Sequence, residues 1–208
     1  MEDIRLTTLE RIHASAKREF LDKGFLGASL RNIVKSAGVT TGAFYGYYDS
    51  KEKLFDALVS EQYEHLMDMY VNTQNSFKEL DADVQQANMG KVSGDCMEQM
   101  IDYMYANEDE FRLILLCSKG TRYENMVHEM SEVEVQATHD FVQVMRENGN
   151  DVRQIDPKLE HVLVSGMFTA FFELLIHRND IGEAKTYLRQ LREFYTAGWK
   201  RLLDLDIT

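Results

Sequence analysis

One proline, Pro157, in a chain of 208 residues narrows the possible folds more than any other feature. Proline removes a main-chain donor and ends helices, so long stretches without it are free to stay helical. Along those stretches apolar residues recur at spacings of three and four, the period of a helix with one buried face. The expected class is all-α. The hydrophobic share of 44% and charged share of 28% are those of an ordinary globular chain long enough for one or two cores. The 2 cysteines, Cys96 and Cys117, lie far apart without CxxC spacing and read as reduced thiols. No leader-like run follows Met1, and no continuous apolar stretch reaches bilayer length. A cytoplasmic protein without a membrane partner is the expectation.

A net charge of −12 argues against a polyanionic partner until the chain is divided. Residues 1–60 carry nine Lys or Arg against eight Asp or Glu, leaving 14 against 27 in the remainder. The N-terminal segment is near neutral while the rest repels nucleic acid, which hints at divided labour.

The pattern predicts a first helix over 4–23, stopped by Gly24, and a short second helix opened by Ser29 with Ile33, Val34 and Ala37 on one face. Gly38 interrupts, and a third short helix runs from Thr40 or Thr41 to about Tyr47. A long fourth helix follows, capped either by Asp49 with Glu52 or by Ser50, and fades near Thr73. Residues 74–95 are polar with two glycines and read as a loop. Helical pattern returns over 95–106, 109–118, 123–147, 157–178 and 183–204, with Pro157 in a first turn and Asn179 and Gly182 at the last connection. The expected domains are 1–48, a three-helix head, and 49–208, a larger helical body.

Two short helices meeting at a glycine, packed on a longer first helix, make a helix-turn-helix. Gly38 supplies the positive φ of the turn, Ala37 allows close crossing, and Ile33, Val34, Val39 and Phe44 point inward. Thr40, Thr41, Tyr45 and Tyr47 offer hydroxyls outward, while Gly42 and Ala43 lack the bulk to keep a groove at a distance. Phe44 and Tyr48 read as core. Arg31 either reaches a base edge, where a guanidinium makes two bonds to guanine, or pairs with a carboxylate such as Asp49.

The stretch GASLRNIVKSAGVTTGAFYGYYDSKEKLF, from Gly27 to Phe55, resembles the DNA-binding head of TetR/AcrR-family transcriptional regulators. The likeness rests on the Gly24-Phe25 helix end, Ser29, Ile33, Ala37-Gly38-Val39, Gly42, Phe44-Tyr45, Tyr48 and Ser50-Lys51-Glu52, and covers about residues 5–60. It implies that Ser29 and Lys51 hold phosphates, that Arg31 reaches a base, and that Thr40, Thr41, Ala43, Tyr45 and Tyr47 line the groove. Gly46 and Tyr47 depart from the bulkier or histidine residues often found there, and glycine weakens a helix interior by roughly 1 kcal/mol. The resemblance further implies a ligand-responsive repressor, a homodimer on a palindromic double-stranded operator with its recognition helices about 34–36 Å apart.

In the body, Ser165, Gly166, Thr169 and Ala170 form a small-residue patch, and Leu188, Leu191, Tyr195, Trp199 and Leu202 form an apolar stripe. Two helices from each chain would make a four-helix dimer seam; otherwise these faces pack within one subunit. Methionine is frequent in the middle helices, and its flexible side chain suits varied partners. Met69, Tyr70, Met97, Met100, Met104, Met126, Met130 and Phe168 are the candidates to line a pocket for a largely apolar small-molecule effector. His128 and Glu132 share a helix face at i, i+4 but read as a solvated pair, so no metal or cofactor is expected. No Ser-His-Asp order, phosphate loop or HExxH motif is present, and the chain does not read as an enzyme. The remaining alternative is an effector-independent architectural or partner-binding DNA protein.

Overall fold

The computed structural model describes residues 6–177 and 180–204, and among them every regular element is helical. The expected helix start at Ile4 and the break at Asn179 lie outside the described residues. The chain forms two compact units, one reaching to Glu64 and including Asn107–Glu124, the other comprising His65–Ala106 and Asn125 onward.

The first unit begins with α1, Thr8–Gly27, opened by a reciprocal cap in which Thr7 accepts from the Glu10 main chain and Glu10 from that of Thr7. Ile12, Ala16 and Phe20, four residues apart, are fully buried. Gly24 takes φ 67°, ψ 168° and kinks the helix at the expected stop, leaving one last turn beyond it. α2, Leu30–Ala37, buries Ile33, Val34 and Ala37 and ends at Gly38, whose φ of 64° few side chains tolerate. α3, Thr41–Tyr45, buries Phe44, and α4, Lys51–Lys78, follows. Of the two caps foreseen for α4, Ser50 is the one used, its hydroxyl accepting from the Lys53 N–H at 3.2 Å.

This unit is not the 1–48 stretch drawn from the sequence. It takes in the start of α4, the short α6 (Glu108–Arg112) and a π-helical turn at Leu113–Cys117 that packs on α1. Phe111, Leu113, Ile114 and Tyr123 are buried. Phe20, Phe25 and Phe55 cluster at centroid distances of 5.1–6.0 Å, and Tyr123 joins through Phe55. Lys17 pairs with Glu110, and Arg122 with Asp56 and Glu64. Apolar burial and these ion pairs draw residues some sixty positions downstream into the head.

The second unit is built from α5 (Ala82–Ala106), α7 (Met126–Glu147), α8 (Pro157–Ile176) and α9 (Ile181–Leu203). The loop expected over 74–95 is a correction: α4 continues to Lys78, and α5 starts after a turn of a few residues. The buried Gln85 amide donates to the carbonyls of Lys78 and Leu80 at 3.2 and 2.8 Å, which satisfies that turn. The glycines that looked like loop punctuation face Arg192 of α9. Its Nη2 donates to the Gly90 carbonyl at 2.8 Å, and a Cβ on Gly94 would lie 1.5 Å from the same nitrogen. Glycine here admits a guanidinium against the helix.

Pro157 opens α8 behind the Asp156 cap, and Asp180 caps α9, so Gly182 is inside the helix and not in the connection. α8 is apolar and long enough to cross a bilayer by composition, with mean hydropathy 1.6, contrary to the expectation from continuous runs. In the structure it packs against α7 and α9, with Val164, Phe168, Phe171, Phe172 and Leu175 buried.

Candidate functional site

The outward face of α2 and α3 carries the candidate nucleic-acid groups. Arg31, Thr40 and Thr41 are exposed, Ala43 is half-buried, and Tyr45 and Tyr47 keep 53% and 50% of their surface exposed although both are aromatic. Phe44, between them, is fully buried, and Tyr48 is half-buried with its hydroxyl 2.5 Å from His13 Nε2. Burial, with the nearby Lys17 charge, holds the His13 imidazole below its ordinary value, which favours a neutral ring beside the Tyr48 hydroxyl. Two of the four aromatics in this stretch therefore hold the head together, and two face solvent.

Local hydrogen bonding decides what each polar group has left to offer. Thr40 Oγ1 accepts from the Ala43 N–H at 3.1 Å as the α3 cap, while its own proton stays available to a partner. Ser29 occupies the α2 cap position but makes no side-chain cap bond. Glu19 of α1 instead gathers the donors at this end of α2. One oxygen, Oε1, accepts from the Ser29 N–H at 3.1 Å, Asn32 Nδ2 at 3.2 Å and Lys23 Nζ at 3.0 Å. Hydrogen bonds from Lys23 and then Ser29 hold its carboxyl below the usual range. No spacing rule pointed to Glu19, because its partners lie across the turn between α1 and α2. Arg31 is in no ion pair among the described residues, so the Asp49 alternative is not realised.

Lys51 is engaged inside the head. Its ammonium donates to the carbonyls of Phe25 and Ala28 at 2.6 and 3.1 Å and sits 4.4 Å from the Phe25 ring centroid. Two of its three donors are thus used on the end of α1. Gly46 stands just past α3 with φ −72°, ψ −17°, a conformation open to any residue. Its helix penalty therefore falls outside the helix, and an added Cβ would meet the Ala43 carbonyl at 3.3 Å.

The sequence profile described as "Bacterial regulatory proteins, tetR family" matches residues 12–58, a span that holds all eight of these positions. Over that span the head matches the tetR family. Two Bacillus subtilis (strain 168) proteins align with the same region. The "Uncharacterized HTH-type transcriptional regulator YdgC" is 40% identical over 52 residues, 25% of this chain and 27% of that protein. The "Probable HTH-type transcriptional regulator YttP" is 41% identical over 61 residues, 29% of this chain and 30% of that protein. The match therefore spans under a third of either relative. Likeness in fold extends further. A TetR-like transcriptional regulator from Rhodococcus sp. RHA1 superposes with TM-score 0.56 at 14% identity, covering 93% of this chain and 100% of that one.

Outside the head, the second unit holds a cavity of about 100 Å³ bordered by α4, α5, α7, α8 and α9. Of the residues expected to line it, Tyr70 and Met97 do. Met100, Met104, Met130 and Phe168 are fully buried core, Met126 is core as well, and Met69 is half-buried away from the lining. The apolar wall comes instead from Phe77, Met89, Phe141, Met167 and Trp199. The charged groups are Glu134, whose carboxylate accepts from the Tyr70 hydroxyl and from Gln74 Nε2 at 2.7 Å, and Arg192.

Burial pushes the Glu134 carboxyl above its ordinary value of 4.5, against the pull of its two hydrogen bonds. The folded protein therefore holds this proton more tightly than the unfolded chain does. Stability should fall as pH rises from 4.5 through the raised value, and the penalty is fully present above it. Glu134→Gln should remove that fall, gaining on the wild type at neutral pH and nothing below pH 4.5. Urea unfolding followed by Trp199, the 1 tryptophan of the chain, measures it; parallel pH profiles for the two proteins would rule the effect out.

The residues proposed for the dimer seam divide. Gly166 and Thr169 are exposed and Ala170 half-buried. Ser165 turns toward α7, donating to Ser131 Oγ at 3.3 Å. Leu188 is fully buried within the unit, and Tyr195 and Trp199 line the cavity. Leu191 and Leu202 are half-buried. The large apolar groups left in solvent on these two helices include Leu159 and Val162 (63%) on α8 and Tyr187 and Phe194 (72%) on α9. Periodicity did not reveal which stripe of these helices points outward.

Proposed function

We propose that the chain is a sequence-specific DNA-binding transcriptional regulator, a homodimer that represses from a palindromic operator and is released by a small molecule. The observation that carries this reading is a head matching the tetR profile whose Arg31, Thr41, Tyr45 and Tyr47 stand in solvent around a core closed by Phe44. A regulator of this kind works in the cytoplasm, where the DNA is, and needs no cofactor or catalytic group. Phosphate contacts position such a head and base contacts specify its site. Two heads are needed because one short helix reads too few bases.

The effector would enter the cavity beside Glu134 and Trp199. That space is about 100 Å³, against the roughly 300 Å³ or more of typical ligand pockets. A ligand must therefore prefer a more open body, and that differential affinity is what shifts the population away from the DNA-competent state. The cavity favours this reading over an effector-independent architectural role. α4 contributes residues to both units and is the covalent route for the message.

Selection of bound sequences from random DNA, repeated at two salt concentrations, tests the proposal. A palindrome should be enriched and affinity should fall steeply with salt. The absence of any enriched sequence would sink the reading. Within that assay Tyr45→Phe should weaken binding about equally on all sequences. Arg31→Ala should relax preference at one base position, with a loss of about 1–3 kcal/mol. An unchanged motif for Arg31→Ala would remove it from the base-reading set.

A further inference from the structure

The helix-face pair His128 and Glu132 acquires a third member that spacing along the chain does not reveal. His161, on α8, brings Nδ1 to 3.3 Å from Glu132 Oε1, while His128 Nδ1 lies 3.9 Å from the same oxygen. Ligand atoms of all three side chains fall within 4.8 Å of one another, and the two imidazole centroids are 5.6 Å apart. We propose that His128, Glu132 and His161 bind one divalent transition-metal ion, of the zinc class, on the α7–α8 face.

Bond lengths of about 2.0–2.2 Å to nitrogen and oxygen set ligand–ligand distances near 3.4 Å around a tetrahedral ion. The His161–Glu132 edge already has that length. The wider His128 edge closes by a small rotation of exposed side chains. Two imidazoles and one carboxylate suit zinc, cobalt or nickel better than calcium or magnesium, which prefer oxygen. Three protein ligands leave a position for water.

The hydrogen bonds behind His161 point the same way. Ser131 Oγ donates to the Val127 carbonyl at 2.7 Å, and Ser165 Oγ donates to Ser131 Oγ at 3.3 Å. The lone pairs of Ser165 then remain to accept from His161 Nε2, 3.5 Å away. With the ring proton on Nε2, the Nδ1 lone pair faces Glu132 Oε1 at 3.3 Å. Outer hydrogen bonds of this type are how metal-binding histidines are oriented.

The test uses the full-length, untagged protein, stripped by a chelator and titrated with cobalt(II), then zinc(II). One cobalt per chain should bind with the visible bands of a low-coordinate nitrogen–oxygen site, and zinc should displace it. His128→Ala and His161→Ala should each weaken binding at least 100-fold, and Ser165→Ala about 10-fold. His139→Ala, on the same helix as His128, should leave binding unchanged. Glu132→Gln serves as a second ligand variant, and circular dichroism checks that each variant is folded. No stoichiometric cobalt, or cobalt binding that survives the loss of both His128 and His161, would overturn the site.

Discussion

Lys51→Met should destabilise the head by about 2–4 kcal/mol, because a methionine of similar length cannot donate to the carbonyls of Phe25 and Ala28. Hydrogen bonds from a charged donor contribute roughly 1.5–3 kcal/mol each and the cation above the Phe25 ring about 0.5–1 kcal/mol, of which water reaching the part-buried carbonyls recovers a share. The two carbonyls lose a partner held at 2.6 and 3.1 Å, at the point where the kinked α1 gives way to α2. Faster amide exchange through α1 and α2 and a lower melting temperature for the head are the expected readouts. A phosphate-holding lysine behaves differently. Its loss would leave head stability intact, weaken DNA binding evenly across sequences, and reduce the salt slope by about one. The measurement therefore separates the role that the family resemblance implies from the one that the hydrogen bonds support.

Aspartate at both Val162 and Phe194 should convert the proposed dimer to monomers at micromolar concentration. Both side chains are large, apolar and mostly in solvent, at 63% and 72%, so the fold of the single chain loses little. In a twofold seam each new carboxylate is desolvated, and a cost of about 3 kcal/mol or more follows. That corresponds to self-association at least about 100-fold weaker. Operator affinity should collapse in parallel, because a lone head engages one half-site. Sedimentation velocity gives the oligomeric state directly. A variant that stays dimeric and keeps its palindrome would move the seam to another surface.

These two predictions draw on different kinds of information. The head could be read from the chain because its constraints lie within about sixty consecutive residues. Gly24 and Gly38 stop helices where positive φ is required, Ser50 and Thr40 cap them, and Ile33, Val34, Ala37 and Phe44 mark the buried side. Even there the chain is silent where a group serves a distant partner. Lys51, which the family resemblance makes a phosphate ligand, also donates to carbonyls 26 and 23 residues earlier. Glu19 carried no signal at all.

The body was less legible for a physical reason. Helical periodicity states which face of a helix is apolar, and it is silent on whether that face meets a neighbour, a void or a second chain. Met100, Met104 and Met130 have the pattern expected of a pocket and are core, whereas Trp199, assigned to a seam, borders the cavity. Polar residues 74–95 looked like a loop because Gly90 and Gly94 weaken a helix in isolation. Arg192, about a hundred residues on, makes their small size necessary.

Local rules of spacing, capping and glycine conformation thus settled the all-α class and marked α1, α2 and α3 from the order of residues alone. Contacts between residues 30 to 100 positions apart decided the rest: Tyr70 with Glu134, Gly90 with Arg192, and Glu132 with His161. Such pairs leave no periodic trace in either segment, because each helix is complete by its own hydrogen bonds and any partner of matching shape would serve. Only packing the helices together selects the partner, and with it the cavity, the Glu134 carboxylate that lines it and the triad on α7 and α8.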